Sequence, residues 1–225
     1  MLQRSSFHKL FSAQFIVRGR KRGIHAWLAI IMLLAAGLCL GWADSFDGIR
    51  GAAANVMAVQ ADFVQEKHLP ILAKPLVSTG RLYYRRPDAL RWEYTAPVKS
   101  VLIMHDGETR RFVESEQGGR LVEDASARMQ AMQVVMPEIS GWLSGRFQDN
   151  PLFDASLCEG NRILMVPKDE GMQRFIQRIE LVMAGTPGVI QEVLIFESEK
   201  AFTRMVFSDT HVNPDLDDRL FQDAR

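Results

Sequence analysis

The side chains able to do chemistry in this 225-residue chain are few and scattered. Downstream of residue 43 the histidines are His68, His105 and His211. None stands in an HExxH, HxH or Cys-His spacing, so no recognisable metal-ligand set is present. No GxSxG elbow offers a serine nucleophile, and no glycine-rich loop follows a strand pattern to cradle phosphate. His105-Asp106-Gly107 reads as a strand end with its turn, and Asp209 with His211 as a surface pair. The carboxylates Glu66, Asp88, Glu93 and Glu180 read as ordinary strand and loop charges. Cys158 is the one cysteine after residue 43, which excludes an internal disulfide there; it is expected to be a small buried hydrophobe. The chemistry left to the chain is binding, with no enzyme activity, metal or cofactor expected.

The elements that would have to build a binding site are mainly strands. Apolar residues at Phe46, Ile49, Ala53, Val56, Met57 and Val59 recur at threes and fours, which predicts an amphipathic helix from Asp44 to about Phe63. Ala125, Met129, Met132 and Met136 predict a second, from Asp124 to Met136. There Pro137 ends the helix or starts a new turn, and Ile139, Trp142 and Leu143 continue the pattern to Gly145. Short runs bounded by Pro, Asp or Gly predict strands at 78–85, 89–94, 100–105, 109–114, 153–158, 162–167, 175–183, 189–197 and 202–208. Asp106-Gly107 is a hairpin signal. Strands at this spacing without intervening helices make an antiparallel meander, and one of this size must curl or close.

Alternation within the strands assigns their faces. Leu82 and Tyr84 oppose Arg81, Tyr83 and Arg85; Leu90, Trp92 and Tyr94 oppose Arg91 and Glu93; Ile179, Leu181 and Met183 oppose Glu180. An ordinary core beneath a sheet and a large apolar concavity both give this pattern, and composition does not separate them.

The N-terminus has a different character. Arg18, Arg20, Lys21 and Arg22 precede an apolar run from Ala26 to about Leu40, followed by Gly41-Trp42-Ala43. Basic region, apolar core and small-x-small site, in that order, predict a cleavable signal peptide over residues 1–43 and a single domain with a substantial core over 44–225. The apolar run falls short of the ~20 residues that span a bilayer, though an uncleaved anchor is the alternative. Leu38 before Cys39 argues against an acylated cysteine. Residues 1–43 hold six basic and no acidic side chains, leaving 21 basic against 27 acidic in the rest. That surplus of negative charge argues against a nucleic-acid partner.

One block is specific. From Phe63 to Gly107 the chain sets Phe63-x-Gln65, Ser78-x-Gly80, Leu82, Arg86-Pro87, Leu90-Arg91-Trp92-x-Tyr94 and Pro97 in fixed order before Asp106-Gly107. Thr203 to Val206, Val212-Asn213-Pro214 and Leu220-Phe221 form a matching C-terminal end. This pattern resembles LolA, the periplasmic carrier of outer-membrane lipoproteins, and its LolA-like relatives. The stretch from Leu69 to Leu76, with Pro70 and Pro75, looks more like divergent members, some of which serve other lipid or polyene pathways.

The resemblance implies an α+β fold, mainly antiparallel: an incomplete, half-open β-barrel with a small helical lid. It implies a periplasmic protein, monomeric, that takes acyl chains of a lipoprotein from an inner-membrane exporter to an outer-membrane receptor. Under it, Leu82, Tyr84, Leu90, Trp92 and Met104 become candidate lipid-binding residues, with Met129 and Met132 facing them from the lid. It also makes Arg86 a candidate lid gate that hydrogen-bonds across to the lid, with Arg85 as the alternative inward arginine. A non-lipoprotein lipid client, or an anchored outer-membrane receptor, are the other functions this pattern allows.

Overall fold

The computed structural model describes residues 45–115, 118–124, 136–148 and 150–224. The expected signal segment lies outside the described residues, as do Met129 and Met132 and most of the expected helix from Asp124 to Met136. Helix α1 is Phe46–Ala54. The Ser45 hydroxyl accepts from the Gly48 amide at 3.0 Å and caps its start, while Ile49 and Ala53, one turn apart, are buried.

The helix predicted to reach Phe63 stops at Ala54, and β1 (Ala58–His68) begins four residues later. Val59, Ala61 and Phe63 are buried there while Asp62 and Val64 are exposed, a period of two. Val59 and Phe63, four residues apart, satisfy either period when read alone. The strand wins because β1 finds a hydrogen-bonded partner on each side.

The remaining strands are β2 (Leu76–Arg85), β3 (Ala89–Ala96), β4 (Ser100–His105), β5 (Glu108–Glu114), β6 (Leu121–Glu123), β7 (Phe153–Cys158), β8 (Arg162–Pro167), β9 (Arg178–Met183), β10 (Ile190–Phe196) and β11 (Phe202–Val212). Residues 136–143 form helix α2, so Pro137 lies within helical structure, and a single turn, α3, spans Glu170–Gln173. At the β4–β5 turn Asp106 has φ 52° and Gly107 φ 78°, as a two-residue hairpin of matching twist requires.

All strands join one antiparallel sheet in the order β6-β5-β4-β3-β2-β1-β11-β10-β9-β8-β7. The first strand pairs with the last, and β6 and β7 remain as edges, so the barrel is open. The sheet is strongly curled. Trp92 on β3 and Phe207 on β11 bring their rings to 6.2 Å, although three strand intervals, about 14 Å in a flat sheet, separate them. Phe63 fills the bend, with ring centroids 5.2 Å from both Trp92 and Tyr94. Gly80 makes room for it at a register shift between β2 and β3.

The outer face departs from the simple apolar-in, charged-out reading. The C-terminal tail, with a 3-10 turn at Asp218–Phe221, lies over β2 to β5. It buries Tyr83 with Leu216 and Phe221, and Val101, Ile103 and Phe112 with Ala224. Arg91 is only 4% exposed: its guanidinium donates to Leu220 O at 3.1 Å, Asp223 O at 2.7 Å and Glu93 Oε2 at 3.1 Å. Backbone carbonyls thus satisfy a charge that would otherwise be costly to bury. Cys158 also differs from expectation. It is exposed, because the alternation that turns Phe153 inward on edge strand β7 turns Asp154, Ser156 and Cys158 outward.

A Cβ at Gly80 would lie 2.0 Å from Glu93 O and 2.4 Å from Phe63 Cζ. Gly80→Val is therefore expected to lower the unfolding free energy by about 1–3 kcal/mol or more, read from urea midpoints. A variant as stable as the parent would show that the bend does not depend on this contact.

Candidate functional site

The concave face of the sheet and helix α2 enclose an apolar cavity of about 310 Å³. Its floor is built from alternate residues of neighbouring strands. Val59 and Ala61 come from β1, Leu82 from β2, Trp92 and Tyr94 from β3, Val193 and Ile195 from β10, and Met205 and Phe207 from β11. Met136, Ile139, Trp142 and Leu143 of α2 form the roof, and Met172 and Ile176 close one side. Volume and lining suit a small apolar ligand, since such sites run from about 300 to 1,000 Å³. The few polar side chains in the wall include Gln65, which accepts from the Tyr94 hydroxyl at 2.7 Å. Burial pushes the Tyr94 hydroxyl above its ordinary pKa, and the nearby Trp92 indole pulls the other way without reaching full hydrogen-bond geometry.

The roof is fastened at one corner. The Tyr84 hydroxyl and Ser144 Oγ are 2.9 Å apart, and the Ser144 hydroxyl donates to Ser140 O at 2.6 Å. Ser140 Oγ reaches Pro87 O at 3.5 Å. Arg86 meets the same corner from below: Nε donates to Val56 O at 3.0 Å, and Nη2 to Ala53 O at 3.0 Å and to Ser144 O at 3.4 Å. Its charge thus sits at the C-terminus of α1, where a cation is favoured. Arg85 points the opposite way, donating to the Asp218 carboxylate with its guanidinium 4.9 Å from the Phe221 ring centre. Arg86, and not Arg85, is the arginine beside the helices.

Helix α1 itself is held tightly. Gly145 and Gly188, both at positive φ, let its backbone approach so closely that an added Cβ would fall 2.9 Å from Ala53 atoms. Asn213, at φ 56°, accepts from the amides of Met57 and Ala58 at 2.7 and 3.1 Å and donates to Asn55 O at 2.9 Å. The junction between α1 and β1 is thereby pinned by both the Arg86-Pro87 and the Asn213-Pro214 segments. On α2, Asn150 locks the exit: its Oδ1 accepts from Leu152 N and Phe153 N, and its Nδ2 donates to Glu138 at 2.6 Å.

Of the residues singled out from sequence, Leu82 and Trp92 border the cavity. Tyr84, Leu90 and Met104 belong to the same buried cluster but stand outside the cavity wall; Tyr84 is fully buried beneath α2. Met104 instead borders a second, more polar cleft with Asp88, Arg110, Ser140 and Arg146. The lining from β10 and β11, and the two serines of α2, were not anticipated. Ser140 and Ser144 had one available signal: buried hydroxyls four residues apart on an otherwise apolar helical face.

Fold and cavity together define a class: a half-open antiparallel barrel roofed by helix around an apolar pocket. The chain belongs to the family described as outer membrane lipoprotein carrier protein LolA, whose model matches residues 54–223. It is 35% identical over 88 residues to an outer-membrane lipoprotein carrier protein of Methylibium petroleiphilum, a match spanning 39% of this chain and 41% of that protein. Solved structures similar to it include a LolA superfamily protein from Nitrosomonas europaea, at 10% identity and TM-score 0.39, covering 79% of this chain and 97% of that one. Another is a structure of the Pseudomonas aeruginosa MucA/MucB complex, at 17% identity and TM-score 0.45, covering 81% and 61%.

The Tyr94 shift has a testable consequence. The native state holds the proton that the unfolded chain releases near pH 10, so this contribution is intact below that pH and fades as pH rises through the raised native pKa. Urea unfolding at pH 9 and pH 11 is expected to show a smaller alkaline loss for Tyr94→Phe than for the parent. Equal losses would mean that the buried hydroxyl is not responsible.

Proposed function

We propose that this protein carries the acyl chains of a lipoprotein, or of a related lipid, in the cavity beneath α2, without catalysing a reaction on them. The observation that carries this reading is the enclosed apolar cavity itself, in a chain of the LolA family. On this reading the protein is a periplasmic monomer, freed by cleavage near Ala43. It receives its load from an inner-membrane exporter and yields it to an outer-membrane receptor. Carriage through water is needed because each methylene moved out of it is worth ~0.8 kcal/mol, and several acyl chains cannot cross unaided. Met136, Met172 and Met205 in the wall suit chains of varying position.

The closed cavity lies at the small end of the range for ligand sites, so loading several chains requires α2 to lift. The fastening is weak enough to allow it. The Tyr84–Ser144, Ser140–Pro87, Arg86–Ser144 and Asn150–Glu138 contacts are each worth roughly 1 kcal/mol net, and burial of about five methylenes offsets all four. Arg86 acts in this scheme as the post to which the lid corner is tied. Its two shorter bonds stay on the α1–β1 junction, which does not move. Leu82 and Trp92 would touch the load directly, with Tyr84, Leu90 and Met104 behind them and Met129 and Met132 on the lid side.

Three experiments test the proposal. Arg86→Leu is expected to raise binding of a hydrophobic fluorescent dye several-fold, because the corner of the roof is loosened; unchanged dye binding and unchanged lipid release would remove Arg86 from the gate. Ala61→Phe, which fills the cavity from the middle of β1, is expected to weaken dye and acyl-chain binding at least tenfold while leaving the melting temperature within a few degrees. Native mass spectrometry of the protein isolated from cells would identify the client, whether lipoprotein, free lipid or polyene. A protein that binds none of these with the parental sequence would sink the carrier reading.

A further inference from the structure

One end of the half barrel is apolar and exposed. It is formed by the β1–β2 loop, the β3–β4 turn, the β10–β11 turn and the link between α3 and β9, which the sheet register gathers together. The β1–β2 loop is tied by Leu72 N donating to Leu69 O at 3.0 Å and stiffened by Pro70 and Pro75. It holds Ile71 89% exposed and Leu76 54% exposed. Phe175 is 74% exposed on the α3–β9 link, and Val98 61% exposed on the β3–β4 turn. Isolated exposed aliphatics are ordinary; several large ones on separate loops at one end of a molecule are not.

The charges at this end are mixed: Asp169 and Glu170 are exposed at the start of α3, Glu114 ends β5, and four cations stand among them. Lys74, Lys99, Arg174 and Lys200 are all exposed here, and none pairs with a carboxylate among the described residues. The acidic side chains of the β10–β11 turn are engaged: Glu197 by Lys67 at 3.0 Å and Glu199 by Arg178 at 2.7 Å. Behind the turn a stacked ladder stiffens the rim. His68 lies 4.3 Å from Phe202, Phe202 lies 5.5 Å from Phe196, and the Arg178 guanidinium lies 3.6 Å over Phe196. The rim also adjoins the cavity, because Ile176, next to Phe175, is part of its wall.

We infer that this rim is a docking surface for an anionic lipid bilayer. Ile71, Leu72, Val98 and Phe175 enter the interfacial region while the unpaired lysines and arginine meet lipid headgroups. Exposed apolar tips with cations free of ion pairs beside them are the combination that holds a protein to a charged membrane, and electrostatic attraction without the tips would not select these loops. The inference takes its purpose from the carrier reading, since docking here would set the side of the cavity at Ile176 against the bilayer. Its geometry stands apart from that reading.

The test uses the protein as cells process it, its N-terminus read by mass spectrometry, with vesicles of phosphatidylethanolamine and phosphatidylglycerol in a 3:1 ratio. Co-flotation is expected, weakened at least several-fold by 0.5 M salt or by pure phosphatidylcholine vesicles. Ile71→Asp combined with Leu72→Asp should lower the vesicle-bound fraction at least tenfold, and Lys74→Glu with Lys99→Glu should do so at low salt. Neither pair should change the melting temperature or dye binding in the cavity, so a failed carrier reading and a failed docking surface give different results. The inference is overturned if no vesicle is bound, or if the variants bind as the parent does. It is equally overturned if sedimentation shows that the rim instead joins two copies, with the dimer lost in the aspartate variant.

Discussion

The bend of the sheet at Phe63 and Gly80 is the constraint on which the rest of the molecule depends. An antiparallel sheet of eleven strands buries one face only if that face turns in on itself. Here the turning point is a missing side chain. With no Cβ at Gly80, the Phe63 ring lies over the β2 backbone and meets Trp92, Tyr94 and Phe207 from three directions. The two halves of the sheet can then share one interior, and a helix can cover what remains open. The cavity is the space left where aromatic rings on the bend and aliphatic side chains on β10 do not quite meet.

That interior is framed by polar contacts confined to its margins. Arg86 and Asn213 tie down the α1–β1 junction, the serines of α2 tie down the roof, and Arg91 ties the tail to the outside. In each case the acceptors include main-chain carbonyls at helix ends or in loops. The arrangement separates α1 with the central strands from a roof tied by fewer side-chain bonds.

Much of this was legible beforehand. Nine strands, the Asp106-Gly107 hairpin and the half-open architecture follow from alternation, turn residues and the Phe63–Gly107 block. What escaped did so for identifiable reasons. Strand β1 was hidden because Val59 and Phe63, four apart, fit a helical period as well as an alternating one, and Val56 before them continues the helical spacing. Alternation shows which face a residue takes but not how far along the barrel it lies, so Tyr84, Leu90 and Met104 could not be told from Leu82 and Trp92. Tyr83 and Arg91 read as outward residues, and they are; the tail that covers them carries no periodic signal. Ser140 and Ser144 matter through Tyr84, Arg86 and Pro87, more than fifty residues earlier.

The pairing of β1 with β11 carries a further consequence for how the chain folds. These strands are separated by more than 130 residues, yet they sit side by side at the centre of the sheet. Hairpins such as β4–β5 can form within microseconds of their residues becoming available, but the central seam must wait for almost the whole polypeptide. Until then each half presents a raw sheet edge in its middle. The molecule therefore has a late, non-local closing step, and a chain still emerging from a ribosome or a translocation pore would remain threadable until its final strand arrived.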